Sequence, residues 1–507
     1  MAPPMVFPVS LSRAGALASS RASLAAGEAV AAEVHRLVQE GLLKHGIQVA
    51  AYHRGTPLVS LWGGACPSTG TPVCEDSLFM GYSIAKGLAS TAMCMGVDRV
   101  PGLAFDDPVA SPRVWPGFGQ KGKGAVTIAD AAGYRAGMPE HPTLLSQVMA
   151  FRRGGWRGHW NEGIEFVEQY EPEWTPGTRA GYHPMSYSWI VGGIAEAVDA
   201  IDEKQRGDES EDEESVRSRG SGSSGSSSSS SCGSGGSGGS SGSSSSSSSC
   251  SSSSSSSRTT GSRIGRHLSD IVRDDIARPL GFEDEMFMGR LPSSDRGRVI
   301  RQIPLVPPSV EGRKERFNAG CDSRIMTTLA NSSMWSQMCL PSSNGFFTAR
   351  SVAAVYGAWA NEGSVTSVDS SSAFMSQHGG GGGPERVRTQ EHCRDRVQLL
   401  SRSMTLEVAA RIADDTRLAP ATTSRFATKG TSGYRDSLGF HPYAHEEVEL
   451  YGDNAAHTIG CSGAGGNIAF ADPVSGLSLV VLKSDYTETR LGMTVAERIA
   501  AVLREHI

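Results

Sequence analysis

Gly81-Tyr82-Ser83-Ile84-Ala85-Lys86 stands where an extended segment, Ser77 to Gly81, gives way to a helical apolar pattern from Ile84 to Val97. One helical turn sets Ser83 and Lys86 on the same face, so an amine can sit beside the hydroxyl it would have to deprotonate. Ser-x-x-Lys alone is a weak signal in a serine-rich chain of 507 residues. A helix start with an exposed lysine reads the same way.

Working outward, Glu28 to Lys44 carries Val30, Val34, Leu37, Val38 and Leu42 at helical spacing. A hairpin pattern follows, Ile47 to Tyr52 and Leu58 to Trp62 around a turn at Arg54 to Pro57. Near the other end, Asn467 to Ala471 and Leu477 to Lys483 read as strands joined at Asp472-Pro473-Val474-Ser475-Gly476, and Met493 to Glu505 as an amphipathic helix. Between the ends lie helical patterns at Ser186 to Ala200, Leu268 to Ile276 and Thr348 to Asn361. The fold class expected is α/β: a mainly antiparallel sheet built from both ends of the chain with flanking helices (about 28–110 and 435–507), plus an inserted, mostly helical part (about 111–434).

Two inserts interrupt this pattern, 203–262 and 363–391, the first acidic and then almost only Ser and Gly, the second built around Gly379 to Gly383. Such composition cannot offset its ordering entropy by burial, so both are expected to lack fixed structure. Residues 1–27 contain no acid, carry Arg13 and Arg21, and lack the continuous apolar core of a secretory signal. They are expected to form a disordered leader before a domain 28–507. Their composition resembles a transit peptide weakly, which points to a cytoplasmic or organellar location rather than secretion.

Net charge is −6, and Asp202 to Val216 alone holds eight acids and two bases, so the remainder is neutral and offers no basic face for nucleic acid. No apolar run is long enough to span a membrane. The nine cysteines show no CxxC spacing and two lie in the serine tract, which argues against a disulfide framework and against a zinc site; no metal and no cofactor is expected.

The order of several further motifs makes the reading specific. Leu61-Trp62-Gly63-Gly64, Ser83-Ile84-Ala85-Lys86-Gly87, Ala131-Ala132-Gly133-Tyr134-Arg135-Ala136-Gly137-Met138-Pro139, Pro176-Gly177-Thr178-Arg179, Tyr182-His183-Pro184, Arg278-Pro279-Leu280-Gly281-Phe282, Asn344 to Arg350 and Ser462 to Asn467 occur in that sequence. Together they resemble the serine β-lactamase-related family, with its class C and penicillin-binding-protein-like fold, and most of all its carboxylesterase branch. Ala132 and Gly133 stand where that family usually has Ser-His. The resemblance covers roughly residues 30 to 505.

What the resemblance implies is a nucleophile at Ser83 with Lys86 and Tyr182 as its base system, the lysine ammonium favouring the phenolate. It implies an oxyanion hole from the backbone N–H groups of Ser83 and Ala464. The family's third motif, a Lys or His followed by Thr-Gly, falls on Cys461-Ser462-Gly463, so His183, Cys461, Ser462 and Gly463 become candidates for the substrate pocket. Trp156 and Trp160 are further candidates. The expected activity is hydrolysis of a small-molecule ester through an acyl-enzyme. A β-lactamase or DD-peptidase is the alternative, disfavoured by Pro184 in place of an Asn and by Cys461 in place of a cation. A non-catalytic binding or self-assembling relative is the alternative of another class.

Overall fold

The structure, a computed structural model, describes residues 8–11, 21–220, 265–305, 323–368, 373–376, 385–388, 393–414, 438–440, 454, 457–487 and 491–507. Its centre is a six-stranded antiparallel sheet. In spatial order it contains β1 (Val9–Leu11), β3 (Thr56–Gly63), β2 (Ile47–His53), β11 (Leu477–Lys483), β10 (Asn467–Asp472) and β9 (Ile459–Gly463). Strand β2 pairs with β11 along its whole length, from Ile47 opposite Lys483 to His53 opposite Leu477. The sheet is therefore assembled from both ends of the chain.

Both hairpin turns are encoded locally. Arg54 and Gly55 take φ of 49° and 72°, the left-handed pair that closes a two-residue turn with the twist of its strands. Asp472 Oδ1 accepts the N–H groups of Val474 and Ser475 at 2.9 and 3.3 Å, an Asx-type turn ahead of β11.

Period-two alternation splits the sheet's side chains between two cores. Val49, Ala51, Leu479 and Val481 face helices α1 (Arg21–Gln39) and α7 (Leu491–Arg504), meeting Val30, Val34, Leu37, Val495, Ile499 and Leu503. Ala50, Tyr52, Val480 and Leu482 face the larger core around α2 (Ile84–Arg99) and α5 (Ala349–Trp359). Helix α2 is buried on nearly every side, which is why its sequence is apolar all round. It packs along α4 (Tyr187–Gly220). A second, three-stranded sheet sets β6 (Gly345–Phe347) between β4 (Phe79–Tyr82) and β5 (Met286–Met288), and β4 leads directly to Ser83.

The expected fold class is found, with corrections at four places. The segment 1–27 is not wholly a leader: β1 extends the sheet edge along Leu61 to Gly63, and α1 starts at Arg21, with Ala26 buried. The first insert does not begin at Glu203, because α4 continues to Gly220; Lys, Glu, Gln and Arg are good helix formers, and Asp202 pairs with Arg206 one turn on. Residues 221–264 lie outside the described residues.

The second insert begins as a strand. β7 (Ser364–Val368) pairs with β8 (Cys393–Gln398), and Val365 is fully buried. Glycine and serine content concealed this β-branched segment; the run Gly379 to Gly383 lies outside the described residues. The span 111–434 also supplies part of the sheet's cover. Helix α5 lies on β2 and β11, with Ser478 Oγ donating to Ala353 O at 3.0 Å. Among the described residues, no helix is long and apolar enough to cross a membrane.

Candidate active site

Strand β4 ends at Tyr82 with φ of 49°, a left-handed conformation unusual for a bulky residue. The Tyr82 side chain is buried against Tyr486, ring centroids 5.6 Å apart, and this packing holds the kink. The chain then enters α2 with Ser83 at its N-cap and Lys86 inside its first turn.

Lys86 is completely buried. Its Nζ donates to Ser83 Oγ at 3.0 Å and to the carbonyl of Ser342 at 2.7 Å, and lies 4.9 Å from the centre of the Tyr182 ring. The Tyr182 hydroxyl is 2.9 Å from Ser83 Oγ. A hydroxyl, an amine and a phenol thus converge from two segments 99 residues apart. Ser342 is itself fixed: its N–H donates to Ser188 Oγ at 2.9 Å, and that hydroxyl donates to Ser342 Oγ at 2.6 Å.

Tyr182 is held by the block Ala131 to Pro139. Gly181 N–H donates to Tyr134 O at 3.0 Å, Ser186 Oγ to Met138 O at 2.6 Å, and the Tyr134 ring packs 5.3 Å from that of Tyr182. His183 completes the bracket. Its Nε2 accepts the Met138 N–H at 2.9 Å and its Nδ1 donates to the Gly181 carbonyl. Those two bonds require the neutral Nδ1–H tautomer, and burial pushes the ring's pKa down to about 4. His183 is therefore corrected as a pocket candidate: it is fully buried with both nitrogens spent on the backbone.

The third motif runs along β9, the strand next to α2. Gly463 sits so close to β4, the strand leading to Ser83, that a Cβ there would overlap the carbonyl oxygen of Gly81. Only glycine permits this contact. Cys461 is corrected as a pocket candidate: it is fully buried, its Sγ donates to Gly439 O at 3.5 Å, and its Cβ faces Gly87 on α2. Ser462, one residue on, points to the other side and is half-buried. After Gly463 the chain turns through Ala464, Gly465 (φ 82°) and Gly466 (φ 90°). Among the described residues, neither the Ser83 nor the Ala464 amide donates to another group of the protein.

Trp160 is buried with Nε1 donating to Glu196 at 3.2 Å, and Trp156 lines a separate groove of about 360 Å³ with Arg290 and Phe151. Neither belongs to the Ser83 cluster. Reading the sequence missed Ser342, whose role is played by its backbone and leaves no side-chain signal.

Residues 34–210 match the family model described as Beta-lactamase. The match covers about a third of the chain, from α1 to within α4. The Esterase/beta-lactamase LipL of Mycobacterium tuberculosis (strain ATCC 25618 / H37Rv) is 30% identical over 165 residues, 31% of this chain and 34% of LipL. The chain thus matches about a third of the length of that curated relative. A family VIII carboxylesterase has a TM-score of 0.61 at 20% identity, covering 95% of this chain and 98% of its own. A penicillin-binding protein homolog from Caulobacter crescentus has a TM-score of 0.61 at 21% identity, with the same coverage. At these identities the two structures show that this chain shares their fold.

Proposed function

We propose that this protein is a serine hydrolase that cleaves small-molecule esters through an acyl-enzyme on Ser83. The observation that carries the reading is the convergence of Lys86 Nζ and Tyr182 OH on Ser83 Oγ at 3.0 and 2.9 Å. Ser83 Oγ attacks the ester carbonyl while its proton passes to the Tyr182 oxygen, with the Lys86 ammonium stabilising the phenolate form. The oxyanion is received by the amides of Ser83 and Ala464, to which no described residue bonds. The alcohol leaves with the proton held by Tyr182, and the same pair then activates water to release the acid.

Fold likeness to a carboxylesterase and a penicillin-binding protein homolog is compatible with either an ester or an amide substrate. Ester chemistry is favoured by Pro184 beside Tyr182 and by the burial of Cys461, which leave no side-chain amide or cation at the positions that would read a β-lactam. The test is turnover of p-nitrophenyl acetate and butyrate beside nitrocefin, with labelling by a fluorophosphonate. Ser83→Ala should remove label and turnover together. Nitrocefin turned over faster than the esters would transfer the assignment to a β-lactamase, and a wild type inert towards all three would make the fold a non-catalytic one.

A further inference from the structure

Behind the turn that carries the Ala464 amide lies a charged group that the reaction does not use. Lys483, the last residue of β11, is completely buried, and its Nζ donates to Gly465 O at 2.5 Å, to Asp485 O at 2.6 Å and to Thr487 Oγ1 at 3.4 Å. Gly465 O also accepts the Thr487 N–H at 3.3 Å. Gly465 follows Ala464 and takes a left-handed φ, so the peptide the ammonium grips is part of the turn that aims the Ala464 N–H.

The surroundings lock the ammonium in turn. The Asp485 carboxylate, fully buried, accepts the N–H groups of Lys44 and His45 at 2.7 and 3.0 Å and pairs with His45 Nδ1 at 2.5 Å. Tyr486, between Asp485 and Thr487, packs on one side against Gly465, where any Cβ would strike its ring, and on the other against Tyr82, the residue before the nucleophile. The Lys483 main-chain N–H donates to Asn467 Oδ1 at 2.9 Å, and Asn467 Nδ2 donates to Met80 O at 3.2 Å on β4. One short stretch, 483–487, therefore touches both backbone segments that the proposed oxyanion hole is made from. Burial of an ammonium is costly, and here its donors go to the turn and to the strand after it.

We infer that Lys483 is a positioning residue for the oxyanion hole: its ammonium fixes the Gly463–Gly466 turn so that the Ala464 N–H points at the oxygen developing charge beside Ser83. This rests on the reading of Ser83 as nucleophile. A turn held this way needs no reorganisation when the oxyanion forms, which is where such donors act most strongly. Burial also brings the Lys483 pKa down to about 8, against the Asp485 carboxylate that holds it up. The titratable and charged groups around it are Asp485, His45, Lys44, Tyr486 and Tyr82.

The test is kinetics of the full-length protein carrying Lys483→Met, which keeps the chain length and removes the charge, with Lys483→Gln as a second variant that keeps a neutral donor. Both should lower kcat on p-nitrophenyl butyrate about 10- to 100-fold, the usual result of a group displaced by about 1 Å, while KM stays within about twofold. Affinity for an alkyl boronic acid, whose tetrahedral adduct with Ser83 places an oxygen in the hole, should fall in parallel, and Lys483→Gln should lose less than Lys483→Met. A folded variant with lower melting temperature but unchanged kcat and boronate affinity overturns the inference. So does failure of both variants to fold, since the lysine would then serve the fold as a whole. Turnover retained in Ser83→Ala would instead sink the nucleophile assignment itself and is read separately.

Discussion

The Lys86 ammonium is suspended between Ser83 Oγ at 3.0 Å and the carbonyl oxygen of Ser342 at 2.7 Å. A carbonyl cannot exchange a proton with the lysine, so Ser342 orients the amine without competing for its chemistry. Lys86→Ala and Tyr182→Phe should each slow acylation by p-nitrophenyl esters about 10²- to 10⁴-fold, the usual worth of assisted proton transfer. On the proposed reading they share one task, so the double variant should be hardly slower than the worse single one. Stopped-flow bursts measure this, and fully additive losses would mean the two groups act in different steps.

Gly87, one turn along α2 from Ser83, admits no side chain because a Cβ would overlap the Tyr356 hydroxyl. Gly87→Ala should destabilise the protein by about 1 to 3 kcal/mol, the cost of overpacking a filled core. Adding Tyr356→Phe removes the obstructing oxygen and should recover most of that loss in urea unfolding. A double variant no more stable than Gly87→Ala would show that the helix cannot absorb the methyl at all.

Three imidazoles, two buried and one nearly so, should make the fold acid-sensitive. Burial lowers the pKa of His183 and His159 to about 4 and, with the charges of Arg290 and Arg157, that of His267 to about 3. Unfolded, each titrates near 6.5, so between about pH 6.5 and 4 the unfolded chain binds more protons and stability falls as pH falls. Each contributes up to about 1.4 kcal/mol per pH unit in that window. His45 works the opposite way, its pKa being raised by the hydrogen bond to Asp485 against the cost of burial. Melting temperature should nonetheless drop between pH 6.5 and 5, before ordinary carboxylates titrate; a flat profile there would contradict the buried placements.

Arg350 on α5 donates to Glu285 through Nε at 2.7 Å and through a second guanidinium nitrogen at 2.6 Å, while its other terminal nitrogen meets Glu75 at 2.8 Å. Glu285 is fully buried. Arg350→Met leaves that carboxylate without its cation and should cost about 3 to 5 kcal/mol, more than a surface ion pair could. Chemical denaturation measures it, and a loss below 1 kcal/mol would mean that Thr348 and nearby backbone suffice for Glu285.

The parts of this architecture legible in the sequence are those with a period. Leu477 to Lys483 reads as a strand and is one, to the residue, and Ile84 to Val97 lies within α2. The cluster Ser83, Lys86 and Tyr182 came from motif order, and its members meet. Short elements were less legible: β4 showed only as the extended segment Ser77 to Gly81, and β5 and β6, of three residues each, are too short for alternation to register. Direction was not legible either. Cys461 and Ser462 sit on one strand, but which of them turns under α2 depends on register against β10, where Cys461 stands opposite Ala469. Lys483 appeared only as the last residue of the strand pattern Leu477 to Lys483; its two short bonds go to backbone oxygens, which no side-chain pattern reports.

The pairing of β2 with β11 has a consequence for how the protein is made. The partner of Ile47–His53 on its second edge emerges from the ribosome some four hundred residues later, roughly 20 to 80 s at 5 to 20 residues per second. Throughout that interval an apolar strand edge lacks its neighbour, a species open to wrong pairings and to capture by chaperones. Gly463 meets Gly81 only after that late segment has been synthesised. On the proposed reading, the nascent protein carries its nucleophile long before the second oxyanion donor, Ala464, is synthesised, so premature acylation of chains that lack that segment is disfavoured by the order of synthesis itself.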